Sequence, residues 1–167
     1  MESLPANDSL HVVCSPADFD DWDGLLALLR ESFAYMDGRI DPPSSLHNFD
    51  AAKLATKAAA EELVLAYVGG ALAGCLFAAP RGDALYLGKI AVRPDLRGRG
   101  IARRLFETAE ALARARGITA LELQARIELT ENHRTFMALG FVKTGEGSHP
   151  GYTRATDLNF RKVLLSS

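Results

Sequence analysis

The stretch LYLGKIAVRPDLRGRGIARRLFETAEALARARG, residues 85–117, decides the fold class of this 167-residue chain. Its first part is apolar and predicts a strand over Ala84–Val92. Its last part predicts a helix over Arg99–Arg116, which Gly117 ends. The apolar face of that helix is formed by Ile101, Leu105, Ala109 and Leu112. A short basic loop joins the two, so the helix presents its unpaired N–H groups and the positive end of its dipole beside the loop.

The loop and the helix concentrate positive charge. Residues 93–116 contain seven arginines and three acidic residues, a local charge of +4 in a chain whose formal net charge is −2. Gly98 and Gly100 lack the Cβ that would keep a ligand at a distance, and glycine tolerates positive φ. We therefore expect a polyanionic ligand here. The Gly-Lys-Ser/Thr ending of nucleoside-triphosphate loops is missing, and Arg103 stands where the dinucleotide fingerprint requires its last glycine.

The remaining elements follow from hydrophobic patterns and turn residues. They are, in chain order, a strand Leu10–Cys14, a helix opened by Ser15-Pro16 and running to Phe33, an irregular segment Tyr35–Ser45, a helix from Asp50 to Glu62, strands Leu63–Val68 and Ala71–Ala79 joined at Gly69-Gly70, a strand Thr119–Ala125, a helix Glu131–Leu139, and strands Phe141–Glu146 and Ala155–Leu165. With the central strand and helix the order is β-α-α-β-β-β-α-β-α-β-β. No repeat or linker divides the chain, so the sequence predicts one α/β domain over residues 1–167.

Composition excludes several classes of function. A net charge of −2 argues against the broad basic face of nucleic-acid-binding proteins. No apolar run approaches the roughly 20 residues that span a bilayer, and Met1–Pro5 is too polar for a secretory signal. We therefore expect a cytoplasmic protein that binds neither nucleic acid nor membrane.

Cysteine and histidine give no sign of a metal centre. Cys14 and Cys75 both lie in apolar runs, which predicts two reduced thiols in the core. The four histidines are scattered without ligand spacing, and they are His11, His47, His133 and His149. We expect no bound metal.

The segment Arg97-Gly98-Arg99-Gly100-Ile101-Ala102 resembles the Arg/Gln-x-x-Gly-x-Gly/Ala motif of the GNAT (Gcn5-related N-acetyltransferase) superfamily. The similarity continues through Ile90–Asp95 before the motif and through Asn132 and Leu139-Gly140-Phe141 after it. The resemblance implies a GNAT-like sandwich, in which a mixed and largely antiparallel sheet of about seven strands is flanked by helices. It also implies a single acyl-CoA-binding, N-acetyltransferase-like domain.

In such proteins the donor is acetyl-CoA. The resemblance implies that the backbone of Ile90, Ala91 and Val92 pairs with the pantetheine arm as an added strand does. The amides of Gly98–Ala102 would hold the pyrophosphate. Asn132 would contact the coenzyme or cap its helix, and Phe136 would pack against the pantetheine region or the core. The acyl group would reach a gap between the two central parallel strands.

Direct attack by an amine makes three chemical demands. An ammonium with a pKa near 10 has no lone pair and must lose its proton. The oxyanion needs a donor, for which the family expectation is the N–H of Val92. The thiolate needs a proton, but Phe136 stands where many members carry a tyrosine, and the strand Ala84–Val92 has no carboxylate where many have a glutamate. Candidate proton donors are His149, Tyr152 or solvent, and candidate bases are Tyr86, His149 or a water chain.

The resulting prediction is an enzyme that moves an acetyl group from acetyl-CoA to a primary amine of a small molecule or peptide. Two alternatives stay open: an acyl-CoA-binding sensor without turnover, and an acyltransferase that uses an alcohol or a longer acyl chain. In this superfamily the segment around Tyr35–Asp41 commonly covers the acceptor site, and a charged surface loop is the alternative interpretation. Dimers are common among its members, so a homodimer is also an expectation.

Overall fold

The computed structural model describes residues 9–165 of the chain as one seven-stranded sheet flanked by helices. Met1–Pro5, interpreted above as too polar for a secretory signal, lies outside the described residues. The strands are β1 Leu10–Cys14, β2 Glu62–Val68, β3 Ala71–Arg81, β4 Ala84–Val92, β5 Ala120–Arg126, β6 Val142–Gly147 and β7 Asp157–Val163. The helices are α1 Trp22–Phe33, α2 Ala51–Ala60, α3 Ile101–Ala115 and α4 Thr130–Ala138.

The sheet is mixed and largely antiparallel, as expected. Its strand order is β1-β2-β3-β4-β5-β7-β6. The pair β4–β5 is parallel and every other neighbouring pair is antiparallel. The predicted order of elements is confirmed. No helix among residues 9–165 is long and apolar enough to cross a bilayer.

Helices α1 and α3 begin two or more residues later than the sequence predicted, and each has a local cause. Helix α1 begins at Trp22 because Asp21 caps it, accepting a hydrogen bond of 3.0 Å from the N–H of Gly24. Ser15 lies at a φ of +41°, so it turns the chain and does not open the helix. Helix α3 begins at Ile101 because Gly100 has a φ of +83°, which a right-handed helix excludes.

Two apolar layers cover the two faces of the sheet. Alternation along β2 and β3 sends Val64 and Leu76 toward α3, and Leu65 and Phe77 toward α1 and α2. Cys75 lies in the second layer, where burial raises the pKa of its thiol to about 12. The prediction of two core thiols is wrong for Cys14, which is exposed because β1 is an edge strand.

The centre of the sheet opens between β4 and β5. Their pairing runs from Leu85↔Leu121 to Leu87↔Leu123, and no further pair follows among the described residues. On the other side of β4, Lys89 and Ile90 together face one residue of β3, a β-bulge. Lys89 has a φ of +46°. The bulge bends β4 away from β5, and the two strands diverge into a gap at the position that the resemblance implies.

Candidate active site

A cavity of about 1130 Å³ passes through this gap. One half, which we call the donor half, is lined by Ile90, Ala91, Val92, Leu96, Arg97, Gly98, Gly100, Ile101, Ala102, Phe106, Leu129, Asn132, Thr135 and Phe136. The other, the acceptor half, is lined by Ser32, Phe33, Tyr35, Met36, Pro42, Pro43, Ser44, Ser45, Asn48, Tyr86, Leu87, Gly88, Lys89, Gln124, Ala125, Arg126, Glu131, His149 and Asp157. The volume slightly exceeds the roughly 300–1000 Å³ typical of a pocket for one drug-sized ligand. It suits a long ligand together with a second molecule.

The donor half ends at the turn before α3. Gly98 and Gly100 have φ values of +80° and +83°, and nothing lies within 4 Å of the position that a Cβ would take at either. No side chain in the described part of the chain caps the helix, and its first turn contains no acid. The exposed Arg99, Arg103 and Arg104 have no ion-pair partner among residues 9–165. Unpaired N–H groups and unpaired cations therefore meet at one open surface, which favours phosphate.

Arg97 and Ser32 join this turn to α1. The guanidinium of Arg97 donates to the carbonyl of Ser32 at 2.9 Å and lies 5.2 Å from the ring centroid of Tyr35. The hydroxyl of Ser32 donates to the carbonyl of Val92 at 3.0 Å. These bonds fix the end of β4 against α1. Arg99, although part of the predicted coenzyme motif, does not line the cavity itself.

The N–H of Val92 is directed into the gap. The next N–H along the chain, that of Arg93, donates to the carbonyl of Ala73 on β3 at 2.8 Å. Successive N–H groups of a strand point to opposite edges, so the N–H of Val92 points to the edge from which β5 has diverged. The strand therefore aims a backbone donor at the cavity.

Asn132 and Phe136 lie side by side along α4. Helix α4 begins at Thr130 with Leu129 at its cap position, so Asn132 does not cap it. Its amide donates instead to the hydroxyl of Tyr35 at 2.9 Å. Phe136 packs edge-on against Phe106, with 6.1 Å between ring centroids, while one side lines the cavity. Phe136 therefore supports the cavity wall, and its position offers no proton donor.

A strap formed by residues 37–45 covers the acceptor half. Arg39 pairs with Glu131 at 2.7 Å, and Arg126 donates to the carbonyls of Pro42 and Pro43 at 2.7 and 3.1 Å. Asp41 pairs with Arg154 at 3.2 Å. These contacts tie the strap to β5, α4 and the loop before β7.

Tyr152, predicted as a candidate proton donor, belongs to the fastening of the strap and does not line the cavity. Its hydroxyl donates to the carboxylate of Asp41 at 2.5 Å. This hydrogen bond raises the pKa of Tyr152 and lowers the pKa of Asp41. The loop before β7 therefore places His149 at the cavity and Tyr152 at the strap.

His149 faces the cavity and is oriented by two buried residues. Its Nδ1 lies 2.6 Å from the hydroxyl of Thr156 and 3.0 Å from Oδ2 of Asp157. The hydroxyl of Thr156 donates to the same carboxylate at 3.0 Å. Because a bare Nδ1 would repel the carboxylate, we assign the proton to Nδ1. The lone pair then lies on Nε2, which has no partner among the described residues, and this is the arrangement of a general base.

Asp157 is held from a second side as well. The guanidinium of Arg126 lies 3.8 Å from its Oδ1, and the two residues form the last register pair of β5 and β7. The carbonyl of Arg126 also contacts Nε2 of His133 at 2.9 Å, and His133 is only 9% exposed. Sequence reasoning missed Thr156 and Asp157, because only the fold places them beside His149.

Tyr86, the third predicted proton-transfer candidate, lines the acceptor half. Its hydroxyl donates to Oε1 of Gln124 at 3.3 Å, and the guanidinium of Arg81 lies 3.7 Å from its ring centroid. Burial raises the pKa of Tyr86 above its ordinary value of 10. A phenol with a raised pKa is a poor base at neutral pH, so Tyr86 is better suited to contact the acceptor.

Lys89 is a site residue that sequence reasoning overlooked. It lines the acceptor half, and its ammonium lies 3.9 Å from the ring centroid of Phe49. Burial, followed by the nearby charge of Lys57, lowers the pKa of Lys89 to about 8. A lysine inside an otherwise apolar strand was the signal that could have identified it.

Comparison with known proteins gives a family match and a shared fold. A model described as "Acetyltransferase (GNAT) family" matches residues 22–141. PaiA N-acetyltransferase of Thermoplasma acidophilum, in complex with coenzyme A, aligns at a TM-score of 0.74 and 15% identity, over 93% of this chain and 99% of its own. The ribosomal-protein-S18-alanine N-acetyltransferase of Escherichia coli aligns at a TM-score of 0.66 and 16% identity, over 95% of this chain and 97% of its own. IAA acetyltransferase of Bacillus cereus aligns at a TM-score of 0.66 and 18% identity, over 93% of this chain and 100% of its own. No curated protein sequence matches this chain.

Proposed function

The chain belongs to the GNAT acetyltransferase family, and on that premise we propose that it transfers an acetyl group from acetyl-CoA to the primary amine of a small molecule or peptide. One observation carries the proposal: a single cavity joins the turn before α3 to Nε2 of His149, and within residues 9–165 the turn has no side-chain cap and Nε2 has no partner. A phosphate site and a proton acceptor thus open onto the same space, with the strand gap between them.

The donor half is suited to the coenzyme. The amides of Gly98–Ala102 and the unpaired arginines beside them would hold its phosphates. The pantetheine arm would pass along Ile90–Val92, and the thioester would lie in the gap between β4 and β5. The coenzyme A bound to the Thermoplasma acidophilum protein of the same fold supports this assignment.

The chemical step follows from the groups at the gap. The amine lone pair attacks the thioester carbonyl carbon, and the N–H of Val92 donates to the oxygen that becomes negative. The proton of the amine passes to Nε2 of His149, while Asp157 stabilises the imidazolium that forms. The carbon–sulfur bond then breaks, and the thiolate takes a proton from solvent.

Two measurements test the proposal. Acetyl-CoA at about a hundredfold above its Kd should raise Tm by roughly 5–10 °C, and no shift at millimolar ligand would overturn the donor assignment. A thiol-release assay over a panel of amines should then show acceptor-dependent formation of CoA. A thermal shift without CoA release for any amine would instead identify an acyl-CoA-binding sensor.

A further inference from the structure

Lys89 carries an inference about the class of acceptor. It lies on β4 just beyond the last residue that pairs with β5, so it stands beside the gap. Lys89 lines the acceptor half and lies at the β-bulge, with a φ of +46° that non-glycine residues rarely adopt. The fold thus uses a disfavoured backbone conformation at a cavity-lining residue whose side chain carries an ammonium.

This ammonium has no anionic partner in the part of the chain that the structure describes. Glu61, the acid that acts on it electrostatically, pairs with Lys57 at 2.7 Å. The face of Phe49 is the contact that stabilises the Lys89 cation. A partly buried charge without a counter-ion is unfavourable, and a ligand anion would remove that penalty.

The acids that line the acceptor half are already neutralised. Glu131 pairs with Arg39 at 2.7 Å, and Asp157 contacts both His149 and Arg126. The acceptor half therefore presents an unpaired cation and no unpaired anion among residues 9–165. A diamine would bring a second positive charge toward Lys89, whereas an amine with an acidic group would supply the missing counter-ion.

We propose that the acceptor is an amine that also carries a carboxylate, and that the ammonium of Lys89 binds this carboxylate while the amine faces His149. The inference rests on the proposed function, because it names the acceptor of the same site. Amino acids whose amine and carboxylate are separated by a short spacer are the matching chemical class.

The test compares acceptors that differ in one group. A panel of α-, β- and γ-amino acids is assayed for CoA release beside the matching carboxamides. The amines of the carboxamides are less basic, so a larger fraction of them is neutral and able to attack at pH 7.5. This difference favours the carboxamides and therefore works against the proposal. We expect at least one carboxylate to exceed its carboxamide in kcat/KM by on the order of tenfold or more.

Three variants then assign the preference to Lys89. Lys89→Gln should lower kcat/KM for the preferred carboxylate on the order of tenfold to a hundredfold and leave the carboxamide little changed. Lys89→Arg should retain the preference. Lys57→Gln is the matched control, because Lys57 lies near Lys89 but outside the cavity and already pairs with Glu61. It should also retain the preference.

Carboxamides used as well as or better than carboxylates would overturn the inference and leave the proposed function standing. An equal loss with both acceptors in Lys89→Gln would overturn it too, since that pattern indicates a structural role. If neither series releases CoA but another amine of the wider panel does, the inference fails and the proposed function stands. If acetyl-CoA shifts Tm and no amine of any class releases CoA, both fail.

Discussion

At the scale of single residues, His149 is the group on which the proposed chemistry depends most. The buried Thr156 and Asp157 hold its Nδ1, which leaves Nε2 to the cavity. The structure favours His149 over the other two proton-transfer candidates, since Tyr152 is hydrogen-bonded to the strap and the pKa of Tyr86 is raised.

His149→Gln should lower kcat about a hundredfold, the scale of a lost general base. The rise in Tm caused by acetyl-CoA should be unchanged, because His149 lies outside the donor half. Steady-state kinetics and thermal shift measure the two effects. Tyr86→Phe serves as the comparison, and a larger loss there than in His149→Gln would make Tyr86 the base.

The pH dependence of acceptor use should report Lys89. Its pKa of about 8 reflects burial and the charge of Lys57, opposed by Cys75 and Glu61. An ammonium keeps its charge below its pKa and loses it above, so carboxylate binding is present below pH 8 and lost as the pH rises through it.

Lys89→Arg is the reference, because arginine stays charged over the whole pH range of the assay. The acceptor titrates equally in both enzymes, so its effect cancels when the wild-type kcat/KM is divided by that of Lys89→Arg. Between pH 7 and 9, kcat/KM of the wild type relative to Lys89→Arg should fall about tenfold for a carboxylate acceptor. A ratio that stays constant over this range would contradict the assignment.

At the scale of elements, the turn before α3 combines positive φ with an uncapped helix start. Gly100→Val would force a branched side chain into a φ of +83° and place it at the open surface of the turn. We expect the rise in Tm with acetyl-CoA to be lost while the protein stays folded.

Gly117→Val gives the matched control for this variant. Gly117 has a φ of +69° at the other end of the same helix, with equally open surroundings. It should lower the free energy of unfolding by a similar amount, about 1–2 kcal/mol, and leave acetyl-CoA binding intact. Loss of binding in both variants would mean that strain in α3, and not the turn itself, abolishes it.

Elements were predictable from sequence where local signals agree. The bounds of Leu10–Cys14 and Ala84–Val92 were predicted correctly because apolar runs end at turn residues there. The start of α1 was missed because Ser15-Pro16 has the pattern of a helix opening, whereas Ser15 turns the chain at positive φ and the side chain of Asp21 provides the cap.

The two halves of the cavity also differ in how far the sequence predicts them. The donor half comes largely from one continuous stretch, so its motif was visible in the sequence. The acceptor half joins residues that are distant along the chain, such as Arg126 and Pro42. Pairing of this kind depends on tertiary structure, and sequence patterns do not reveal it.

At the scale of the whole molecule, exposed ion pairs fasten the strap over the acceptor half. Arg154 contacts both the carboxylate and the carbonyl of Asp41. Exposed pairs of this kind add little to global stability and weaken with salt. They can nevertheless determine how often the strap is closed.

Arg154→Ala should therefore leave Tm nearly unchanged and raise KM for the acceptor up to about fivefold. High salt should raise the wild-type KM in the same direction. Lys143→Ala removes a comparably exposed pair, with Glu146 on β6, and should affect neither quantity. An acceptor KM that is insensitive to both Arg154→Ala and salt would exclude a role for the strap.

The divergence of β4 and β5 also makes the two halves separable by protein engineering. The donor half lies mainly within residues 90–136, whereas the strap at 37–45 is part of the surface connection between α1 and α2. A chimera that takes this connection from another family member would keep its own coenzyme site and inherit a foreign acceptor wall. New acceptor preferences can thus be grafted onto the fold without redesigning its core.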